Sequence, residues 1–255
     1  MTRPIVAALA LALAAFAPAP ASAEQGCPSA EAAGEPDEKL DHVASALAKG
    51  GPIEVLAVGS PGPAGPEGQP QPASLAAKFA DALSAQAGGA EVRMRTVGGR
   101  GQGVADTLAA VTSALAARHA DLVVWQAGTV EAVKGLPPDE FSDALAEAAA
   151  RVTEADADLV LVDPQYSRFL RANADVEPYE EALRVTAALP SVLLFRRFDV
   201  MHEWVDADAI DLERAAKADR EALVRHLHGC LGDALATFVL DAAKQPSDAA
   251  GAASR

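Results

Sequence analysis

Five short apolar runs recur along this chain, each followed by a stretch with helical periodicity, and that alternation restricts the fold more than any other feature. The runs are Ile53 to Val58, Glu91 to Val97, Asp121 to Gln126, Leu159 to Val162 and Val192 to Phe195. Asp121 to Gln126 reads as a buried strand. Glu91 to Val97 instead sets Val92, Met94 and Thr96 against charged neighbours and predicts a half-exposed or edge strand. Between them, Leu75/Phe79/Ala82/Leu83, Leu108/Val111/Leu115, Phe141/Leu145/Ala148 and the stretch Glu177 to Leu189 carry the spacing of amphipathic helices. A helix over Asp37 to Lys49 precedes the first strand, and a mostly helical stretch from Asp208 to Ala243 follows the last. Strands alternating with helices imply a parallel sheet covered on both faces, hence an α/β fold built as a three-layer α/β/α sandwich with a five-stranded parallel sheet, flavodoxin-like in outline.

The ends of the chain set its context. Thr2-Arg3, the apolar run Ile5 to Phe16 and the small residues Ala21-Ser22-Ala23 form the pattern of a cleaved signal peptide over 1–23. The run falls short of the roughly 20 residues that span a bilayer, so no membrane anchor is expected after cleavage. A periplasmic or secreted location follows. Residues 24–36 are rich in Ala, Gly, Pro and Glu and read as a flexible N-terminal segment. One domain is expected over 37–244, and a disordered tail over 245–255. Two cysteines, Cys27 and Cys230, stand at opposite ends of the mature chain. In an exported protein they can bridge, and the alternative is two buried thiols.

Charge excludes some partners. A formal net charge of −15 with only 21 Lys and Arg leaves no surface for neutralising nucleic-acid phosphates, and it disfavours anionic membranes. Carboxylates abound, but the five histidines are not clustered with ligand spacing. His226 and His228 are two apart on a helix and face different ways, so neither a metal nor another cofactor is expected. The glycines of Gly99-Arg100-Gly101-Gln102-Gly103 follow a strand and open a helix, but they match neither the dinucleotide fingerprint nor the P-loop.

In such folds ligands gather at the carboxyl ends of the strands, and the residues there carry a resemblance. The blocks are Val55 to Gly65, the glycine-rich Val97 to Asp106, Val123 to Glu131 (Val-Val-Trp-Gln-Ala-Gly-Thr-Val-Glu), Leu161 to Tyr166, and Leu194 to Phe198 with Met201 and Trp204. Together they resemble the SGNH (GDSL-like) hydrolase superfamily, in particular its exported bacterial branch with a Gly-Ser-Ser-Ser-Thr first block. The resemblance implies an esterase or acyl-transfer ancestry. A serine from the first block would attack an ester, a histidine backed by an aspartate would take its proton, and backbone N–H groups with an asparagine would hold the oxyanion.

Carried across position by position, the resemblance also implies losses. The nucleophile position is Pro61, which has neither hydroxyl nor N–H. The asparagine position is Val130, while Gly101 retains the glycine role in the oxyanion hole. Two registers compete for the Asp-x-x-His block. One gives Asp219 and, at the histidine position, Ala222; the other is the literal Asp199-Val200-Met201-His202. The first implies a catalytically impaired pseudoenzyme that keeps a cleft for a small acyl or carbohydrate ligand. The second leaves a shifted triad of Ser60, His202 and Asp199 in a working esterase. Asp163 and Gln165, at the end of the fourth strand, are candidate ligand contacts.

Overall fold

The computed structural model describes residues 26–59, 65 and 68–245. The proposed signal peptide, Ser60, Pro61 and the tail from 246 lie outside the described residues.

The sheet contains β1 (Ile53–Val58), β2 (Val92–Val97), β3 (Leu122–Gln126), β4 (Asp158–Val162) and β5 (Val192–Phe195), in the order β2-β1-β3-β4-β5. Every neighbouring pair is parallel, with Val55 opposite Leu122 and Met94, and Val124 opposite Val160. β1, β3 and β4 sit inside the sheet with both faces covered, which is why they read as continuous apolar runs. β2 is an edge strand, and its alternation of Arg93 and Arg95 with buried Met94 and Thr96 reflects that position.

Eight of the helices flank or cap the sheet: α1 (Asp41–Lys49), α2 (Leu75–Gln86), α3 (Val104–Ala117), α5 (Pro138–Glu154), α6 (Arg168–Asn173), α7 (Glu177–Ala187), α8 (Arg197–Asp206) and α9 (Arg220–Lys244). A single-turn-and-a-half helix, α4 (Thr129–Lys134), follows β3 directly. Leu40, Phe79, Leu83, Phe195, Trp204, Leu235 and Val239 pack on one face of the sheet with α1, α2, α8 and α9. Val111, Trp125, Leu145, Val152, Leu159 and Leu183 pack on the other with α3, α5 and α7. The three-layer sandwich follows from these two cores.

Several sequence expectations need correction. The stretch from Asp208 to Asp219 is not helical; α9 begins at Arg220. The Asp211 carboxylate accepts the backbone N–H groups of Glu213 and Arg214 and pairs with Arg168, so a side chain takes the partners that helix formation would need. Helices α4 and α6, six residues each, are too short to show a period, and α8 was not anticipated either. The segment read as flexible, residues 24–36, is docked along its described part. Cys27 is joined to Cys230, Trp204 Nε1 donates to Ser29 O at 2.6 Å, and Ala33 is buried. Its composition was a poor guide because its anchors come from α8 and α9. Gln245, assigned to the tail, closes α9 and donates through Nε2 to Pro36 O at 3.3 Å.

Candidate active-site cleft

A cavity of about 730 Å³ opens at the carboxyl ends of the strands. Its floor begins at Gly59, the last described residue of the first strand-end turn. There φ is +122°, and an added Cβ would come within 3.1 Å of Gln126 Cβ, so only glycine fits. Beside it stands the β2–α3 loop with Arg100, Gly101 and Gln102. The β3 end supplies Gln126, Thr129, Val130 and Glu131, and the far wall is Gln165. The N-terminal turn of α2 closes one side. Ser74 caps this helix through its Oγ, which accepts Ala77 N–H at 3.2 Å, so that hydroxyl is committed to the fold.

Three buried polar groups build the walls. Glu131 accepts Val104 N–H at 2.7 Å on Oε1 and Gly128 N–H at 3.1 Å on Oε2, tying the starts of α3 and α4 together. Arg197, only 6% exposed, donates from Nη1 to Gln126 Oε1 at 2.8 Å and from Nη2 to the backbone oxygen of Asp163 at 2.5 Å; its Nε has no partner. Burial lowers its pKa to about 10. The Asp163 carboxylate accepts Phe198 N–H at 2.8 Å, yet burial outweighs that bond and the nearby guanidinium and pushes its pKa up to about 7.

His228, from the third turn of α9, reaches into the same cavity. Its Nδ1 lies 2.7 Å from Ala73 O. A carbonyl only accepts, so Nδ1 carries the proton and Nε2 is the acceptor of the neutral ring. Burial lowers its pKa, which keeps the ring neutral.

Of the residues singled out from sequence, Gly101, Val130 and Gln165 line the cleft, and Asp163 is buried at its margin. Asp199 and His202 do not face each other as the Asp-x-x-His spacing suggests. Asp199 pairs with Arg196 at 3.5 Å, while His202 pairs with Asp206 at 3.5 Å and stacks on Tyr166, and neither lines the cleft. Both belong to α8, one turn apart, and each is engaged with another residue, Arg196 for Asp199 and Asp206 for His202. Asp219 and Ala222 are exposed at the start of α9, away from the lining, so the register that placed the aspartate and histidine positions there does not bring them to the cleft; the histidine that α9 carries into it is His228. Sequence reasoning missed Arg197, Gln126 and His228. The signal available for Arg197 was a charged pair, Arg196-Arg197, placed directly after a buried strand. For His228 it was a histidine among the apolar residues of the last helix. Among the described residues no group of three or more His, Cys, Asp and Glu side chains is placed to hold a metal ion. None of the described helices is long and apolar enough to cross a membrane.

An all-parallel α/β/α sandwich with its cleft at the strand ends, walled by the β1, β2 and β3 loops and the terminal helix, is the arrangement of an SGNH-type hydrolase. The profile of the Non-GDSL lipase-like family matches residues 26–245, and the chain belongs to that family. Among solved structures it is similar to a variant of Axe2, an acetyl xylan esterase from Geobacillus stearothermophilus. Identity is 16% over 74% of this chain and 95% of that one, with a TM-score of 0.58. It is also similar to LAE5, an alpha/beta hydrolase enzyme from the metagenome of Lake Arreo, at 17% identity over 71% and 96% of the two chains and a TM-score of 0.55. At these identities the likeness shows the fold. No curated protein matches the sequence.

Proposed function

We propose that this protein is an exported, catalytically impaired member of its esterase family that keeps the cleft for binding a small ligand. The observation that carries the reading is the occupancy of the family's reactive positions. Val130 lines the cleft where the resemblance places the asparagine, and it has no hydrogen-bond donor on its side chain. Pro61 occupies the nucleophile position in the sequence. Removing triad members leaves at most the residual catalysis that binding and an oxyanion hole supply, and here the oxyanion hole has lost its asparagine. Export is supported by the pattern of residues 1–23 and by the Cys27–Cys230 disulfide, a bond that persists in oxidising compartments.

The test is hydrolysis of short acyl esters by the purified mature chain, beside Ser60→Ala, His202→Ala and His228→Ala. Turnover at the buffer rate in all four is expected. Turnover abolished by Ser60→Ala and His202→Ala would overturn the reading in favour of the shifted triad. Turnover abolished by His228→Ala, with His202→Ala unaffected, would overturn it in favour of a base on α9.

A further inference from the structure

The charges that line the cleft run against those of the rest of the molecule. The chain carries a formal −15, yet among the described residues the lining holds two guanidinium groups, Arg197 and Arg100, and one carboxylate, Glu131. Both Glu131 oxygens are occupied by backbone N–H groups. Arg197 is buried, and its two hydrogen-bonded partners, a glutamine side-chain oxygen and a backbone carbonyl, are both uncharged. Its third donor atom, Nε, has no partner among the described residues. Asp163 stands close enough to steady this cation, but it turns Oδ1 to Phe198 N–H, and its raised pKa leaves it partly protonated at neutral pH. A buried cation without a paired anion is costly, and an anion delivered into the cavity offsets that cost.

The rest of the lining is suited to hydroxyl groups. Gln102 and Gln165 border the cavity with Thr129, and amide side chains offer donors and acceptors together. His228 adds an acceptor at Nε2. The volume, about 730 Å³, falls within the range of small-molecule sites. Building on the ligand-binding reading above, we infer that the cleft takes an anionic, polyhydroxylated ligand, a sugar acid, with its carboxylate drawn to the Arg197 and Arg100 side and its hydroxyls towards Gln102, Gln165 and Thr129.

The test is a titration of the ¹⁵N-labelled mature chain, followed by amide chemical shifts, with glucuronate, glucose and inorganic phosphate as separate probes. Glucuronate is expected to shift Gly101, Gln126, Thr129 and Gln165, with glucose binding weaker by about tenfold or more, the usual scale for a charged hydrogen bond. Arg100→Gln, at an exposed position, is expected to weaken glucuronate by about two- to fivefold and to leave the fold intact. Arg197→Gln, with its unfolding curve checked first, is expected to remove the preference for glucuronate over glucose. Glucose binding as well as glucuronate would overturn the charge assignment while leaving ligand binding standing. Phosphate binding as well as glucuronate would overturn the saccharide assignment. No shift in the cleft with any probe would overturn the inference outright. Ester turnover in the assay above would instead remove the impaired-enzyme reading and leave the charge argument untouched.

Discussion

Gly232 sits in the middle of α9 where that helix lies across α2. A Cβ built there would come within 2.7 Å of Lys78 C, 2.8 Å of Phe79 N and 2.9 Å of Lys78 O, all backbone atoms of α2. No flexible side chain is available to yield, so Gly232→Ala forces the two helices apart by roughly half an ångström in a close-packed core. Overpacking of this kind costs about 1–3 kcal/mol, and the better helix propensity of alanine returns about 0.8–1 kcal/mol. The net expectation is a loss of up to about 2 kcal/mol. For a chain of this size that lowers Tm by up to roughly 4–8 °C.

Gly229 supplies the control. It lies three residues earlier in the same helix, and nothing stands within 4 Å of an added Cβ. Gly229→Ala should therefore stabilise by about 0.5–1 kcal/mol through propensity alone. The same chemical change thus has opposite signs at two neighbouring positions, read by urea or thermal unfolding of both variants. The cleft registers the first change as well, because Ala73 O, just before α2, holds His228 Nδ1 at 2.7 Å. Pushing α2 outward lengthens that bond and moves the ring. A Gly232→Ala variant stabilised as much as Gly229→Ala would refute the α2–α9 packing and, with it, the placement of His228.

Three further perturbations test other parts of the structure. Burial raises Asp158 to about 6 and Asp163 to about 7, whereas both titrate near 4 when unfolded. Between those values the native chain holds protons that the unfolded chain has released. The contribution of these groups to stability therefore falls as pH rises from about 4 to 7. Asp163→Asn should flatten that slope and raise stability at pH 7.5 by an amount on the order of a few kcal/mol, measured by urea unfolding at pH 5 and 7.5; an unchanged slope would contradict the burial. Reducing the Cys27–Cys230 bond, which joins residues 203 apart, should cost about 2–5 kcal/mol and lower Tm in the presence of reductant, while a double Ser variant should be insensitive to it. Trp204→Phe removes the donor to Ser29 O and should cost about 1 kcal/mol, accompanied by faster proteolytic cleavage between residues 26 and 36.

The sheet was legible because its signal is local. A strand covered on both faces must be apolar throughout, and Ile53–Val58, Leu122–Gln126 and Asp158–Val162 announce themselves that way. The edge position of β2 was legible for the same reason, through Arg93 and Arg95. Short helices were not, and neither was the start of α9, where one aspartate reorganises the chain over Asp208 to Asp219. The cleft was half legible. Its loops could be placed at strand ends, and Gly101, Val130 and Gln165 were found there. Arg197 and His228 escaped because their settings are made by distant partners, Gln126 71 residues away and Ala73 155 residues away. A charged residue after a strand looks the same in sequence whether it faces water or is buried against a glutamine.

The cleft walls and the reactive positions also differ in how firmly the fold holds them. Glu131, Arg197 and Asp163 are buried and bonded across elements, so each supports α3, α4, β4 or α8, and truncating any of them strands a buried polar partner. Val130 is only partly buried and Ala222 is exposed. Substitutions at such positions ordinarily change stability little. A change at Val130, which lines the cleft, can therefore alter what the cleft does without loosening it. In such a fold the persistence of the cavity carries no information about whether a reaction survives. The charge set into its walls does carry information about what enters it, because Arg197 cannot be buried without consequence and its bonded partners leave the charge unpaired.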